Sequence, residues 1–328
     1  MRLPLCLGVL ALHSNVGGML PCQQSEMTVF FVTLFSQTLT KMCVPAFFLI
    51  SGLLMAKGYP FLSVTGYCGM LKRKWAALVI PLFAWNLIAL LIHVLVKVCV
   101  PGLVSSTDTV TGVTDFMRRM CWDCEDIPMW FVRNLILLTF AYPAIWLAVR
   151  KFKWVSVVLF LLGDYYLQLA GLFWYGAGVA LGLLTVKCRW DNVARYQTVL
   201  PMLCYIALCV VEDLKFGWWP HEGILGYLQR AIGIGGLFFA IYVRPGWLTG
   251  INSGMVFFMY AVHGIIIPYE HKGLLMAVGS VITNEFLFFV LNFVLLTVLS
   301  AGSWWLAQRC APQITRVLTG ARHSVVYT

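Results

Sequence analysis

The sequence predicts an all-α integral membrane protein of about ten transmembrane helices with both termini in the cytoplasm, and three observations carry that expectation. Of 328 residues, 61% are hydrophobic and 11% charged, whereas soluble domains run at about 45–50% apolar and about 25% charged. Mean hydropathy is +0.85. The third observation is alternation: long apolar runs are separated in turn by basic and by acidic segments.

In chain order the predicted spans lie near 1–20, 29–56, 75–100, 129–149, 152–164, 165–186, 197–212, 224–243, 253–269 and 281–307. With the first loop outside, the inside segments receive Arg2, Lys57 with Lys72, Arg73 and Lys74, then Arg150, Lys151 and Lys153, then Lys187, Arg189 and Arg195, then Arg244, and finally Arg309, Arg316 and Arg322. The outside segments keep Arg118, Arg119, Lys215 and Lys272. That excess follows the positive-inside rule. Of the 13 acidic residues, Asp191 alone falls inside. The fifth span is short and is joined to the sixth by little more than Asp164. It is retained because the basic clusters on either side require an even number of crossings between them. No repeat or linker divides the chain, so residues 1–328 form one domain, placed in the plasma (cell inner) membrane.

The formal charge of +10 is spread between apolar runs, so it reports topology and no nucleic-acid partner is expected. Of the 11 Cys, most lie in or beside apolar runs, where the thiol acts as a small hydrophobe. Cys121 and Cys124 are the one tight pair. Coincidence, a local disulfide and a metal site all remain open there, although the metal lacks a second pair or a nearby His. Met1-Arg2 followed by Leu3 to Leu12 also has the shape of a secretory signal. Polar His13-Ser14-Asn15 and the missing small-x-small cleavage site speak against removal.

Arg2 and His13 stand eleven positions apart, three helical turns plus about 20°, and so share one face about 16 Å apart along the axis. An ionisable group inside a span is a functional candidate by default. An imidazole shielded from water favours the neutral form, which accepts a proton. Lys41, Arg133 beside Asn134, and His263 are buried candidates for substrate contact, with bonding between helices as the alternative. Ser51-Gly52 reads as small-residue helix packing. Trp130 reads as an interfacial anchor more than a sugar platform, and His93 and His271 receive no role.

The run from Arg2 to His13 resembles the Arg, ten residues, His signature of the first helix in the membrane acyltransferase-3 family. Val44-Pro45-Ala46-Phe47-Phe48-Leu49-Ile50-Ser51-Gly52 is similar to that family's Val-Pro-x-Phe-Phe-x-x-Ser-Gly stretch, and Lys41 sits where the family often has a basic residue. Weaker agreements are Arg73-Lys74 through Ile80-Pro81 to Trp85, Trp130-Phe131, and Tyr260-Ala-Val-His263. The resemblance covers about residues 2 to 270.

It implies an acyltransferase moving a short acyl group, with acetyl the first expectation, from acyl-CoA to a hydroxyl of a sugar or cell-surface glycan. No bound cofactor is implied, since acyl-CoA is the donor substrate. Arg2, Lys72, Arg73 and Lys74 would meet the donor phosphates, and His13 would act as general base. The acidic outer loop at 101–128, with Trp122, is an optional mouth for the acceptor. The competing class is a secondary transporter or flippase of an anionic or carbohydrate substrate, which would be expected to show two matching halves. No such repeat is visible.

Overall fold

A computed structural model describes residues 2–15, 20, 24–61, 63–100, 110–185, 195–216, 223–243 and 252–320. The helices are α1 Arg2–His13, α2 Glu26–Gly58, α3 Val64–Cys99, α4 Val113–Arg118, α5 Met129–Phe140, α6 Tyr142–Phe152, α7 Val155–Leu167, α8 Leu172–Leu184, α9 Arg195–Phe216, α10 Ile224–Val243, α11 Ser253–Val278, α12 Glu285–Cys310 and α13 Pro312–Leu318. No strand occurs among the described residues. Each predicted apolar run therefore carries helix. By length and composition α2, α3 and α12 can cross a membrane, and the α5–α6 pair makes a fourth if it is one bent span.

Side-chain caps fix the starts of the long helices, because a short polar side chain can accept an otherwise unpaired first-turn N–H. Ser25 accepts from Thr28 at 3.2 Å and Ser63 from Gly66 at 3.1 Å. Asn252 accepts from Gly254 at 2.8 Å, and Asn284 from Leu287 at 2.9 Å.

Prolines accompany the irregular turns. Pro45 cannot donate to the Lys41 carbonyl, which lies in a 3-10 turn at Leu39–Met42; a π turn at Leu34–Thr38 precedes it. Pro81 likewise follows a π turn at Trp75–Val79.

Three details differ from straight helices over the predicted runs. The predicted span 129–149 is two helices meeting at 60°, since Pro143 lies in the first turn of α6, where its ring conflicts with the carbonyl four residues earlier. The turn expected at Asp164 lies at 168–171 instead, where Gln168 (φ 51°) and Gly171 (φ 92°) take left-handed backbone. Asp164 stays inside α7, and its carboxylate accepts the N–H groups of Gly171 at 3.2 Å and Phe173 at 3.4 Å, capping α8. Finally, α1 ends at His13, and with α7 and α8 it is only 12 or 13 residues long. That is about 18–20 Å of helix, short of a straight passage through a hydrocarbon layer of about 30 Å.

The apolar α1 is the centre of the bundle, packed between α2, α11 and α12, with Leu5, Cys6 and Leu10 fully buried. The tightest crossing joins α8 to the second half of α2. A Cβ on Gly52 would lie 2.0 Å from the Tyr175 carbonyl oxygen, and one on Gly178 would lie 2.1 Å from that of Leu49. Gly52 thus serves the small-residue packing its sequence context predicts. Gly178→Ala should cost about 2 kcal/mol, because backbone on both sides must separate; a denaturation midpoint in detergent equal to wild type would disprove the close approach.

On α3 the pattern of a soluble helix is inverted. Phe83, Leu87, Leu91, Leu95 and Val98 are exposed at helical spacing, while Asn86 is fully buried. An outward stripe of that kind is unfavourable in water and favourable against lipid.

Candidate functional site

Two sequence-predicted residues converge in the core. His13 closes α1 and His263 lies mid-way along α11, and their ring centroids are 5.3 Å apart at an interplanar angle of 46°. His263 is fully buried, and neither of its ring nitrogens has a hydrogen-bond partner among the described residues. The last turn of α1 is fastened from two sides. The Asn292 amide of α12 donates to the Ser14 carbonyl at 2.8 Å, and the Asn15 amide donates to the Ser36 hydroxyl of α2 at 3.0 Å. Tyr260, one turn before His263, places its ring 5.7 Å from the imidazole and donates its hydroxyl to the Pro128 carbonyl at 2.7 Å.

Tyr260 also lines a cavity of about 190 Å³ shared with Arg2, Ser51, Lys74, Tyr175 and Ser253. Two cations stand at this cavity, and no Asp or Glu appears among its described lining residues. Of the 72–74 cluster only Lys74 belongs to it. Consecutive helical residues point about 100° apart, so three in a row cannot share a face. Lys72 borders a neighbouring apolar groove of about 360 Å³ with Lys74, Trp75 and Phe140. Arg73 lies over the Tyr59 ring, 5.6 Å from its centroid. Of the four residues expected at the inner mouth, Arg2 and Lys74 share this cavity, whereas Lys72 and Arg73 lie beside it.

Lys41 lies elsewhere, on the wall of a cavity of about 540 Å³ that includes Trp130, Asp164, Trp174, Tyr227 and Arg230. Its ammonium pairs with Glu212 at 2.9 Å, and the Gln229 amide donates to the other oxygen of that carboxylate at 2.7 Å. Trp130, read from the sequence as an interfacial anchor, is half-buried on this wall.

Arg133 joins neither cavity nor the histidine pair. It donates to Asn134 at 3.0 Å and lies over the Trp122 ring, 5.0 Å from its centroid, while also bonding the Trp122 carbonyl.

The acidic loop is largely self-neutralised. Arg119 pairs with Asp115 and Glu125 at 3.2 Å each, and Arg118 pairs with Asp123 at 2.6 Å. Ion pairing therefore holds these carboxylates to their own loop. Asp126 differs: it is 1% exposed, its carboxylate oxygens have no partner among the described residues, and burial pushes its carboxyl well above the usual range. Cys121 and Cys124 are both free thiols, which removes the local disulfide.

Glu212 and Arg230 received no site role from the sequence, and Asp164 only that of a junction between spans. Their signal was a charged residue inside an otherwise apolar run, but distance along the chain hid which of them would meet.

Helices apolar and long enough to cross a bilayer, packed around ionisable side chains, define a membrane-type helical architecture. No family model, curated protein or solved structure matches the chain.

Proposed function

We propose that this protein is a multi-pass acyltransferase of the plasma membrane, moving a short acyl group, acetyl in the first instance, from acyl-CoA to a hydroxyl of a sugar or cell-surface glycan. The observation that carries the reading is the His13–His263 pair, one tyrosine ring away from a cavity whose charged lining residues are Arg2 and Lys74. A cationic cavity suits the phosphates of CoA, with guanidinium able to grip them bidentately. His13 removes the proton from the acceptor hydroxyl as its oxygen bonds to the thioester carbonyl carbon. The C–S bond then breaks, and the imidazolium returns the proton to the departing thiolate. Transfer is direct, with no acyl-enzyme.

The apolar runs serve as ten membrane passes, with the basic segments and both termini in the cytoplasm. The short helices α7 and α8 supply the fifth and sixth of these crossings; were they instead a re-entrant hairpin, eight passes would remain. Both arrangements return the chain to the same side, so the charge map is unchanged. In a background without Cys, labelling of Asp115→Cys from outside and of Lys72→Cys only after permeabilisation is the expected pattern; the reverse would overturn the orientation.

Donor binding gives a second expectation. Arg2→Ala should weaken acyl-CoA binding about tenfold by loss of a charge-assisted contact, and added salt should weaken the wild type. Calorimetric affinities insensitive to both changes would remove Arg2 from the donor site.

The function itself is tested by incubating purified protein with acetyl-CoA and cell-surface glycans and analysing the glycans by mass spectrometry. A gain of acyl mass that depends on the protein is expected, and its absence across the glycan preparations would sink the proposal.

A further inference from the structure

The larger cavity has a chemistry of its own. Its volume of about 540 Å³ falls within the about 300–1,000 Å³ typical of small-molecule sites. The buried Trp174 ring lies nearly parallel to that of Tyr227, 21° apart with centroids 6.0 Å apart, and Phe173 braces Tyr227 edge-on at 5.3 Å, so the half-buried Tyr227 and Trp130 rings present the aromatic surface of the wall. The platform is thus set before any ligand arrives.

Polar groups stand around it. The Arg230 guanidinium lies 5.7 Å from the Tyr227 ring centroid and makes no ion pair among the described residues. The Asp164 carboxylate, already capping α8 through two long bonds, keeps lone pairs to spare. Gln168, held by its left-handed turn, adds an amide.

Ligand classes can be separated on this inventory. A lipid tail would offer no hydrogen-bond partner to the half-buried Arg230 guanidinium or to the spare lone pairs of Asp164, which is unfavourable for polar groups on a poorly hydrated wall. A small anion would leave the ring platform unused and would meet Asp164. A pyranose fits both halves: its C–H face lies on the aromatic rings, and its equatorial hydroxyls reach donors and acceptors at the edge. We propose that this cavity binds a pyranose sugar, which is the acceptor of the transfer. Only the second clause rests on the acyltransferase reading.

Position along α2 suits that role. Val44, Pro45 and Phe48 border the sugar cavity, whereas Phe47, Ser51 and Met55 border the cationic one. Phe48 touches Phe131, a wall residue of the cationic cavity, with ring centroids 4.6 Å apart. Acceptor and donor would approach from successive turns of one helix, on either side of a partition made by the Phe48 and Phe131 rings.

The test uses the full chain purified in a detergent without a sugar headgroup, since a maltoside would compete. Saturation-transfer NMR is run with methyl β-glucoside, cellobiose and glucuronate. Transfer to ring protons of at least one probe is expected, with affinity at least tenfold weaker in Arg230→Gln and Tyr227→Leu and unchanged in Leu95→Ala on the outer face of α3. If Tyr227→Leu does not fold, Arg230→Gln still decides, because it removes a side chain outside any ion pair among the described residues. No transfer to any probe, or equal affinity in Arg230→Gln and wild type, would overturn the site. Sugar binding that needs Arg230 but leads to no acylation would leave the site and remove the enzyme. Acylation undiminished in Arg230→Gln would do the opposite.

Discussion

His13→Gln should lower acyl transfer by about 10²–10⁴-fold while acyl-CoA binding persists, the range that general-base catalysis contributes. Glutamine keeps the approximate size and hydrogen-bonding capacity of the imidazole but has no titratable nitrogen. Its backbone would still be fastened through Ser14 and Asn15, so the last turn of α1 should hold its place. Arg2 lies eleven residues away at the other end of the helix, which is why donor binding and chemistry separate in this variant. A histidine serving only to pack against His263 would behave differently: yield and thermal stability would fall, and the folded fraction would keep its turnover. The assay is therefore run on monodisperse protein, with donor binding and transfer measured on the same sample. Near-wild-type transfer would refute the base and leave the cationic cavity as a binding site without chemistry.

Much of this architecture is legible in the sequence because bilayer energetics are local. An apolar run satisfies its own backbone by forming helix, and among the described residues every run contains helix, with breaks at 141 and 168–171. The shared face of Arg2 and His13 followed from helical spacing, and the close approach at Gly52 followed from a small residue in an apolar helix. Contacts between distant segments were not legible. The spacing within α1 says nothing of α11, so the meeting of His13 with His263 required the fold. Lys72, Arg73 and Lys74 read as a cluster because they are adjacent, and the helix separates them for the same reason. Trp130 and Arg230 illustrate the limit from the other direction. Trp130 stands at the end of one apolar run and Arg230 inside another, and only packing places both on one cavity.

Lys41 and Glu212 supply the second large expected effect, this time on stability. Their side chains are 20% and 7% exposed and meet at 2.9 Å, so most of the hydration of both charges has been given up. In such a pair the attraction largely offsets the desolvation, and the pair's net contribution is small. Removing one member is another matter, since it leaves the other charge in a poorly hydrated place. Glu212→Leu strips the ammonium of its carboxylate and should cost about 3 kcal/mol, the lower end of the range for broken buried pairs, because Lys41 retains some access to a cavity. The double variant Lys41→Met with Glu212→Leu removes both desolvated charges and should recover most of that loss. Denaturation of the single and double variants in the same detergent measures the coupling directly. Recovery would assign Lys41 a neutralised, structural charge that borders the sugar cavity. A double variant as unstable as Glu212→Leu alone would show that the carboxylate acts on its other neighbours, with Gln229 the first to replace, and that the ion pair contributes little to holding α2 against α9.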